Sequence, residues 1–276
     1  MRRDRVSEDI FVFVSDLYVQ VTSTVMLTAE GALVIDAMPF PSEAREIIAF
    51  VEGRLGPDSV RYVMNTHHHA DHVYGTYLFP GAEVVAHDAC RELLSELGPA
   101  SLARAKQHTP ALAEVELRLP DISFREEMYI QLGHRHLRLL HTPGHTPDSM
   151  SVFETNERSM SAGDLAMPVP HIVSGDLDQF RASLQRIQAL EPDFVVQGHG
   201  NVLLKGEVEE LVEGHLQYLD NITERVRELI ENDEPPRKLR EIDIESCGLS
   251  RIPLDGSVSK LHLENLIHMY KMMAGA

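Results

Sequence analysis

Residues 66–72 carry the side chains with the clearest chemical potential in this chain: four histidines and an aspartate in the spacing His-x-His-x-Asp-His. Imidazole nitrogens and carboxylate oxygens suit a divalent transition metal such as zinc. An acidic chain with fifteen histidines holds some clusters by chance, and a purification tag resembles such a run, but tags lie at termini and this run is internal. In extended backbone His67 and His69 point to the same side, so both can hold one ion. The run therefore predicts a metal site.

The residues before this run place it at the end of a strand. Residues 60–65 are mostly β-branched or apolar, which predicts a buried strand that ends where the histidines begin. Ligands in layered α/β folds bind in loops at the carboxyl ends of strands. Asp36 also ends a hydrophobic run, where it either caps the following loop or supports the histidine loop from outside the metal site.

Three further motifs place glycine beside a candidate ligand near a predicted strand end. Glycine lets the backbone turn sharply and approach closely, which a ligand that projects into a crowded site requires. Each motif alone has an ordinary structural explanation, but together and in this order they predict that the second half of the chain completes the metal site. The three candidate ligands are His145, Asp164 and His199.

With these motifs in place, the chain resembles the metallo-β-lactamase-fold hydrolases over residues 8–230. The resemblance implies an α/β fold in four layers, an αββα sandwich with a metal site along one edge where the two sheets meet. It implies one metal at His67, His69 and His145, a second at Asp71, His72 and His199, Asp164 as the bridge, and Asp36 behind the histidine loop.

The resemblance also implies a reaction. Water held by two cations roughly 3.5–4 Å apart has its pKa lowered to about 7, so a bridging hydroxide forms and no serine or cysteine nucleophile is needed. Asp71 would orient that hydroxide and Asp164 would bridge the metals, which gives both catalytic roles. We expect two zinc ions, with Mn²⁺ or Fe²⁺ also compatible, and hydrolysis of a small ester, lactone, thioester or amide. The alternative is an oxidoreductase of the persulfide dioxygenase type, with one iron at His67, His69 and Asp164.

The loop after Asp164 does not match a subgroup of that family. The family's β-lactamases carry Cys or Ser at the Asp164 position, glyoxalase II members have Lys and Tyr shortly after it, and acyl-homoserine lactonases often have Tyr where Met167 stands. The apolar segment 167–170 predicts a pocket wall that favours an uncharged acyl group. His171 follows in the same loop, where it either reaches the substrate or is a surface residue.

Composition limits the partners. A chain of 276 residues with 43% hydrophobic content can form one domain over residues 1–276. Its formal charge of −18 leaves no basic face for a phosphate backbone or an anionic membrane, so we expect a small-molecule substrate, no nucleic acid and no membrane. Cys90 and Cys247 lack metal-type spacing and fit a reducing compartment, which predicts a cytoplasmic protein.

The first half of the chain predicts alternating strands and helices after an opening antiparallel meander at 10–14, 18–27 and 32–36. A helix is expected over 88–97. Residues 98–120 are punctuated by alanine and proline, which predicts a surface insertion that covers the site and holds a short helix at 101–106.

The end of the chain, residues 232–276, predicts a linker followed by an amphipathic helix at 258–272. The apolar stripe of that helix would be exposed to water unless it packed on the core or on a second copy of the chain. A homodimer is therefore compatible with the sequence.

Overall fold

The computed structural model describes residues 1–275 and contains two β-sheets. The first sheet has seven strands in sequential order. The first four pair antiparallel, and the fourth to the seventh pair in parallel, so their carboxyl ends lie at one edge. The strands are β1 Arg2–Arg5, β2 Ile10–Val14, β3 Thr22–Thr28, β4 Gly31–Ile35, β5 Val60–Met64, β6 Glu83–His87 and β7 Ile122–Phe124.

The second sheet has six strands in the order β13-β12-β11-β10-β9-β8. Only β11 and β12 pair in parallel, so the loops that follow these two strands lie at the same edge. The strands are β8 Glu127–Leu132, β9 Arg135–His141, β10 Met150–Glu154, β11 Ser159–Ser161, β12 Phe194–Val196 and β13 Val202–Leu204.

Helices cover the outer faces of the two sheets. They are α1 Pro41–Leu55, α2 Ala70–Val73, α3 Asp88–His108, α4 Leu177–Gln188, α5 Lys205–Glu231 and α6 Val258–Ala274. Apolar residues of α1 pack on the first sheet, and those of α4, α5 and α6 pack on the second. The layer order is helix, sheet, sheet, helix, as the sequence predicted.

The alternation of side chains along each strand builds the layers. In β3, Val25 and Leu27 pack with α1, whereas Met26 points to the second sheet. Each such side chain, when fully buried, stabilises the fold by roughly 1.5–3 kcal/mol. The core between the sheets contains Ile10, Met26, Leu33, Ile35, Met64 and Val85 from the first sheet, and Leu137, Leu139, Met150 and Val152 from the second.

The segment after β6 differs from the sequence prediction. Helix α3 runs without interruption from Asp88 to His108 with Pro99 inside it, so the predicted end at 97 and the separate helix at 101–106 are wrong. A proline inside a helix removes one hydrogen bond, but Leu94 and Leu102 on either side of it are buried in one apolar cluster. Burial of these side chains offsets the break that the local sequence favours.

The start of the chain also differs in detail. The strand expected at 18–27 begins only at Thr22, because Val19 and Gln20 have positive φ angles of 41° and 53°. The backbone N–H groups of Leu17 and Tyr18 donate to Ser15 Oγ, which closes a loop between β2 and β3.

The C-terminal segment is more ordered than a linker. It contains three short 3-10 helices before α6. Helix α6 packs on α5, where Tyr218 Oη lies 2.8 Å from His262 Nδ1. Across residues 1–275, no helix has the length and apolar character needed to cross a bilayer.

His215, in the buried face of α5, predicts a pH-dependent stability. Burial lowers the pKa of His215 from the ordinary 6.5 to about 4. Between these values the unfolded chain binds a proton that the folded chain does not. The stability contributed by neutral His215 is therefore present above about pH 6.5 and is lost as the pH falls toward about 4.

The free energy of unfolding of the wild type should fall between about pH 6.5 and about pH 4 because of His215. We predict that this fall is smaller in His215→Gln by on the order of 3 kcal/mol. Urea unfolding of the chelator-treated protein across this pH window measures it. His134→Gln, at an exposed position, should keep the wild-type slope. Identical slopes for His215→Gln and wild type would show that His215 does not titrate as expected.

Candidate metal centre

All seven predicted ligands meet at the edge where the two sheets adjoin. The loop after β5 and the short helix α2 carry four of them, and the loops after β9, β11 and β12 carry one each. They form two groups, and within each group one ligand atom from every residue lies within 4.8 Å of the others. The first group is His67, His69, His145 and Asp164; the second is Asp71, His72 and His199.

Asp164 faces both groups with different oxygens. Its Oδ2 lies 3.3 Å from His145 Nε2 and 3.8 Å from His67 Nε2. Its Oδ1 lies 3.3 Å from His72 Nε2 and 3.6 Å from His199 Nε2. One carboxylate therefore lies between two sets of imidazole nitrogens.

The remaining ligand atoms complete each group. Asp71 Oδ2 lies 3.2 Å from His199 Nε2 and 3.7 Å from His72 Nε2. On the other side, His69 Nδ1 lies 3.0 Å from His145 Nε2. Each group thus combines imidazole nitrogen with carboxylate oxygen, the donor set of zinc and similar cations.

Asp36 supports the histidine loop from outside the two groups. Its Oδ2 lies 2.8 Å from both His72 Nδ1 and Thr66 Oγ1, and its Oδ1 accepts from the Thr66 backbone N–H at 2.8 Å. Thr66 Oγ1 in turn lies 3.1 Å from His67 Nδ1. Because Nδ1 of His72 is engaged here, its Nε2 is the nitrogen that faces the site.

Backbone carbonyls fix two more rings. His145 Nδ1 donates to the His171 carbonyl at 2.7 Å, and His199 Nδ1 donates to the Val19 carbonyl at 2.8 Å. Both bonds orient the ring so that Nε2 is the nitrogen that faces the site. The contact with Val19 joins the loop between β2 and β3 to the candidate site.

The two predicted substrate contacts lie in different surroundings. His171 contributes its carbonyl to His145, and its ring centroid lies 5.6 Å from that of His145. Met167 is only 3% exposed, and its neighbours Ala166 and Val169 pack in the core of the second sheet. The structure therefore does not place Met167 on an open wall, because segment 167–169 packs inward.

Burial keeps part of the histidine set neutral. Desolvation lowers the pKa of three buried rings, in one case to about 3, so their lone pairs are available at neutral pH. These rings belong to His67, His69 and His145. The pKa of about 3 is that of His69.

The other two rings respond to the carboxylates. Burial by itself lowers the pKa of His72 and His199, but the negative charge of Asp164, together with Asp71, outweighs burial and raises both values. The same attraction holds the pKa of Asp164 well below its usual range against burial. The second group therefore favours positive charge.

Buried atoms without partners show that the site fits a cation. Among residues 1–275, His67 Nε2, His72 Nε2 and Asp164 Oδ1 are buried and lack a hydrogen-bond partner. Leaving such atoms unpaired costs roughly 1–3 kcal/mol each. Since they converge as electron-pair donors, divalent cations would satisfy them together.

Two glycines allow this close packing. A Cβ on Gly198 would lie 2.0 Å from Asp164 Oδ1. Gly163 has a φ of +54°, and a Cβ there would lie 2.9 Å from Thr66 Cβ. A larger residue at either position would displace a ligand or the residue that supports it.

Sequence reasoning missed Asp148 and Tyr18. Asp148 is fully buried and accepts from the His68 backbone N–H at 2.7 Å and from His68 Nδ1 at 2.9 Å. The sequence feature that could have identified Asp148 is its position three residues after the candidate ligand His145. The charge of Asp71, burial and Asp164 raise the pKa of Tyr18 to about 12, so in the metal-free protein this phenol stays protonated beside the site.

Comparison with known proteins identifies the family. The family sequence model of the metallo-beta-lactamase superfamily matches residues 17–199 of this chain. This chain belongs to that superfamily. A metallo-beta-lactamase from Pontibacter korlensis superposes with a TM-score of 0.63 at 19% identity, covering 78% of this chain and 99% of its own. The predicted αββα sandwich is thus confirmed as a metallo-beta-lactamase fold.

Two curated relatives match much of the chain. A beta-lactamase-like protein 2 homolog from Drosophila melanogaster is 26% identical over 67% of this chain and 59% of its own length. A hydroxyacylglutathione hydrolase from Pelagibacter ubique is 30% identical over 61% of both. The chain therefore spans less than two thirds of either relative.

Asn265 in α6 holds the loop that contacts His145. Its side-chain oxygen accepts from the Ile172 N–H at 3.1 Å, and its Nδ2 donates to the Pro170 carbonyl at 2.5 Å. The His171 carbonyl lies between these two anchors. No local pattern could reveal this, since the partners are more than ninety positions apart.

We predict that Asn265→Leu weakens metal binding at the first group by about tenfold, because partners that orient a ligand typically contribute 10–100-fold. Competition with a chromophoric chelator measures the affinity, and the melting temperature reports folding. Asn221→Leu is the matched control, since Asn221 bonds the Cys247 carbonyl beneath α5. Equal affinities in the two variants would exclude this role for Asn265.

Proposed function

We propose that this protein is a hydrolase that uses two divalent cations, zinc first among them, on a small ester, lactone, thioester or amide. The observation that carries the proposal is the placement of Asp164, which turns one oxygen to each ligand group at 3.3 Å from the nearest imidazole. A single cation would need only one of these groups. The first cation would bind His67, His69 and His145, the second Asp71, His72 and His199, and Asp164 both.

When bound, such a pair of cations supplies Lewis acidity and lowers the pKa of water to about 7. The protein's own groups position the reactants. Asp71 is the more exposed of the two site carboxylates, so it is placed to accept a hydrogen bond from the attacking water.

The substrate class rests on charge and on relatives. A net charge of −18 disfavours polyanionic substrates. One relative is named as a hydroxyacylglutathione hydrolase, which supports acyl transfer to water. The segment 165–168 offers neither Lys nor Tyr for glutathione, so we favour uncharged carboxylic esters and lactones.

Metal content tests the proposal directly. We predict about two metal ions per chain, by elemental analysis of protein purified without chelator. One equivalent of iron with no second metal would instead support the dioxygenase alternative. Protein that takes up no metal under any supplementation would contradict both.

The Asp164→Ser variant tests the bridge. It removes the shared carboxylate and leaves six ligands, so we predict loss of the second metal and a fall of about 100-fold or more in kcat/KM. A screen across p-nitrophenyl esters, lactones, thioesters, phosphodiesters and a β-lactam measures this. Asp178→Ser, on the exposed side of α4, is the control. Retention of both metals and of near wild-type rates would refute the dinuclear mechanism.

A further inference from the structure

A cavity of about 240 Å³ lies between the histidine loop and α3. His69 lines this cavity and is also a member of the first ligand group. The cavity therefore adjoins the first ligand group at His69. It is lined by His68, His69, Ala70, Tyr74, Leu94, Leu97, Gly98 and Ser101.

The wall that α3 contributes is mainly apolar. Leu94, Leu97 and Ser101 are three and four residues apart, so they lie on one face of the helix. Leu97 is 51% exposed although it is a large apolar residue, and Leu94 is buried beneath it. None of the described lining residues is a carboxylate or a lysine. This surface favours an uncharged aliphatic group.

The opposite wall is held rigidly by His68. Asp148 accepts from both the backbone N–H and Nδ1 of His68, so the ring cannot turn without losing a buried bond. The bond from Nδ1 to Asp148 turns Nε2 of His68 away from that carboxylate. A polar group is thus fixed where the apolar cavity meets the ligand His69.

We propose that this cavity binds the acyl chain of the substrate, so that the enzyme prefers carboxylic esters of short and medium aliphatic acids. The inference rests on the proposed hydrolase function. At about 240 Å³ the cavity is smaller than the roughly 300–1,000 Å³ of sites for drug-sized ligands, so it has room for a short aliphatic chain and not for a drug-sized group. Each methylene that enters should raise kcat/KM about fourfold, which corresponds to its burial free energy.

The Leu97→Trp variant tests the cavity. Leu97 is largely exposed, so the larger side chain can be accommodated without disturbing the core. Wild-type kcat/KM should rise from p-nitrophenyl acetate through butyrate and hexanoate. In Leu97→Trp the rise should stop early, with a loss of about tenfold or more for hexanoate and a change below about twofold for acetate.

Leu204→Trp is the matched control, because Leu204 is 56% exposed, lies on β13 and does not line the cavity. It should keep the wild-type dependence on chain length. A chain-length profile that is the same in Leu97→Trp and in wild type would overturn the proposal.

A second measurement tests binding in the cavity without depending on the hydrolysis reaction. The chain contains no tryptophan, so the residue introduced at position 97 is the only indole. Titration of the zinc-loaded variant with butyro-, hexano- and octanohydroxamate should change its fluorescence, and the affinity should stop rising with chain length where its kcat/KM stops rising. The fluorescence of Leu204→Trp should stay unchanged.

The two measurements distinguish a failure of the cavity proposal from a failure of the proposed function. A fluorescence change in Leu97→Trp but not in Leu204→Trp, in a protein that hydrolyses no ester, would support the cavity and reject the proposed function. Ester hydrolysis by the wild type that does not depend on chain length, with no fluorescence change in Leu97→Trp, would reject the cavity alone.

Discussion

The structure depends above all on the cost of burying two carboxylates and five imidazoles in one small volume. A buried carboxylate needs positive charge or hydrogen-bond donors around it. Although burial opposes it, Asp164 and Asp71 raise the pKa of His72 and His199, so protons supply the positive charge in the metal-free protein. A divalent cation supplies the same charge and leaves the rings neutral. Metal binding thus replaces protons within an arrangement that already exists.

That arrangement is fixed by groups from distant parts of the chain. Asp36 follows β4, the Val19 carbonyl belongs to the loop between β2 and β3, and the His171 carbonyl belongs to the loop after Asp164. The two sheets are joined beside the site, where the Thr22 N–H donates to the Gly198 carbonyl at 2.9 Å. The ligands therefore reach their positions only when both sheets have packed, which links metal affinity to folding.

Most of the correct predictions about the fold and the ligands came from patterns among neighbouring residues. The β-branched run that becomes β5 and the spacing of His67, His69, Asp71 and His72 are properties of neighbouring residues, so patterns revealed them. The groups that orient the ligands are different, because their partners are remote. Asp148 and His68 are 80 positions apart, and Asn265 reaches Pro170 across 95. A single sequence contains no pattern that records which loops meet in the folded protein.

The prediction that α3 ends at residue 97 was wrong for the same reason, because contacts with remote residues decide where the helix ends. This difference affects the choice of substrate. Gly98 and Pro99 favour a helix end, but burial of Leu94 and Leu102 keeps the helix continuous. Because it continues, Ser101 stays on the same face as Leu94, beside the ligand loop. The cavity wall is thus determined by how a helix packs on the core, and the ligand motif does not specify it. Proteins that share all seven ligands can therefore differ in substrate, since the two features depend on different parts of the sequence.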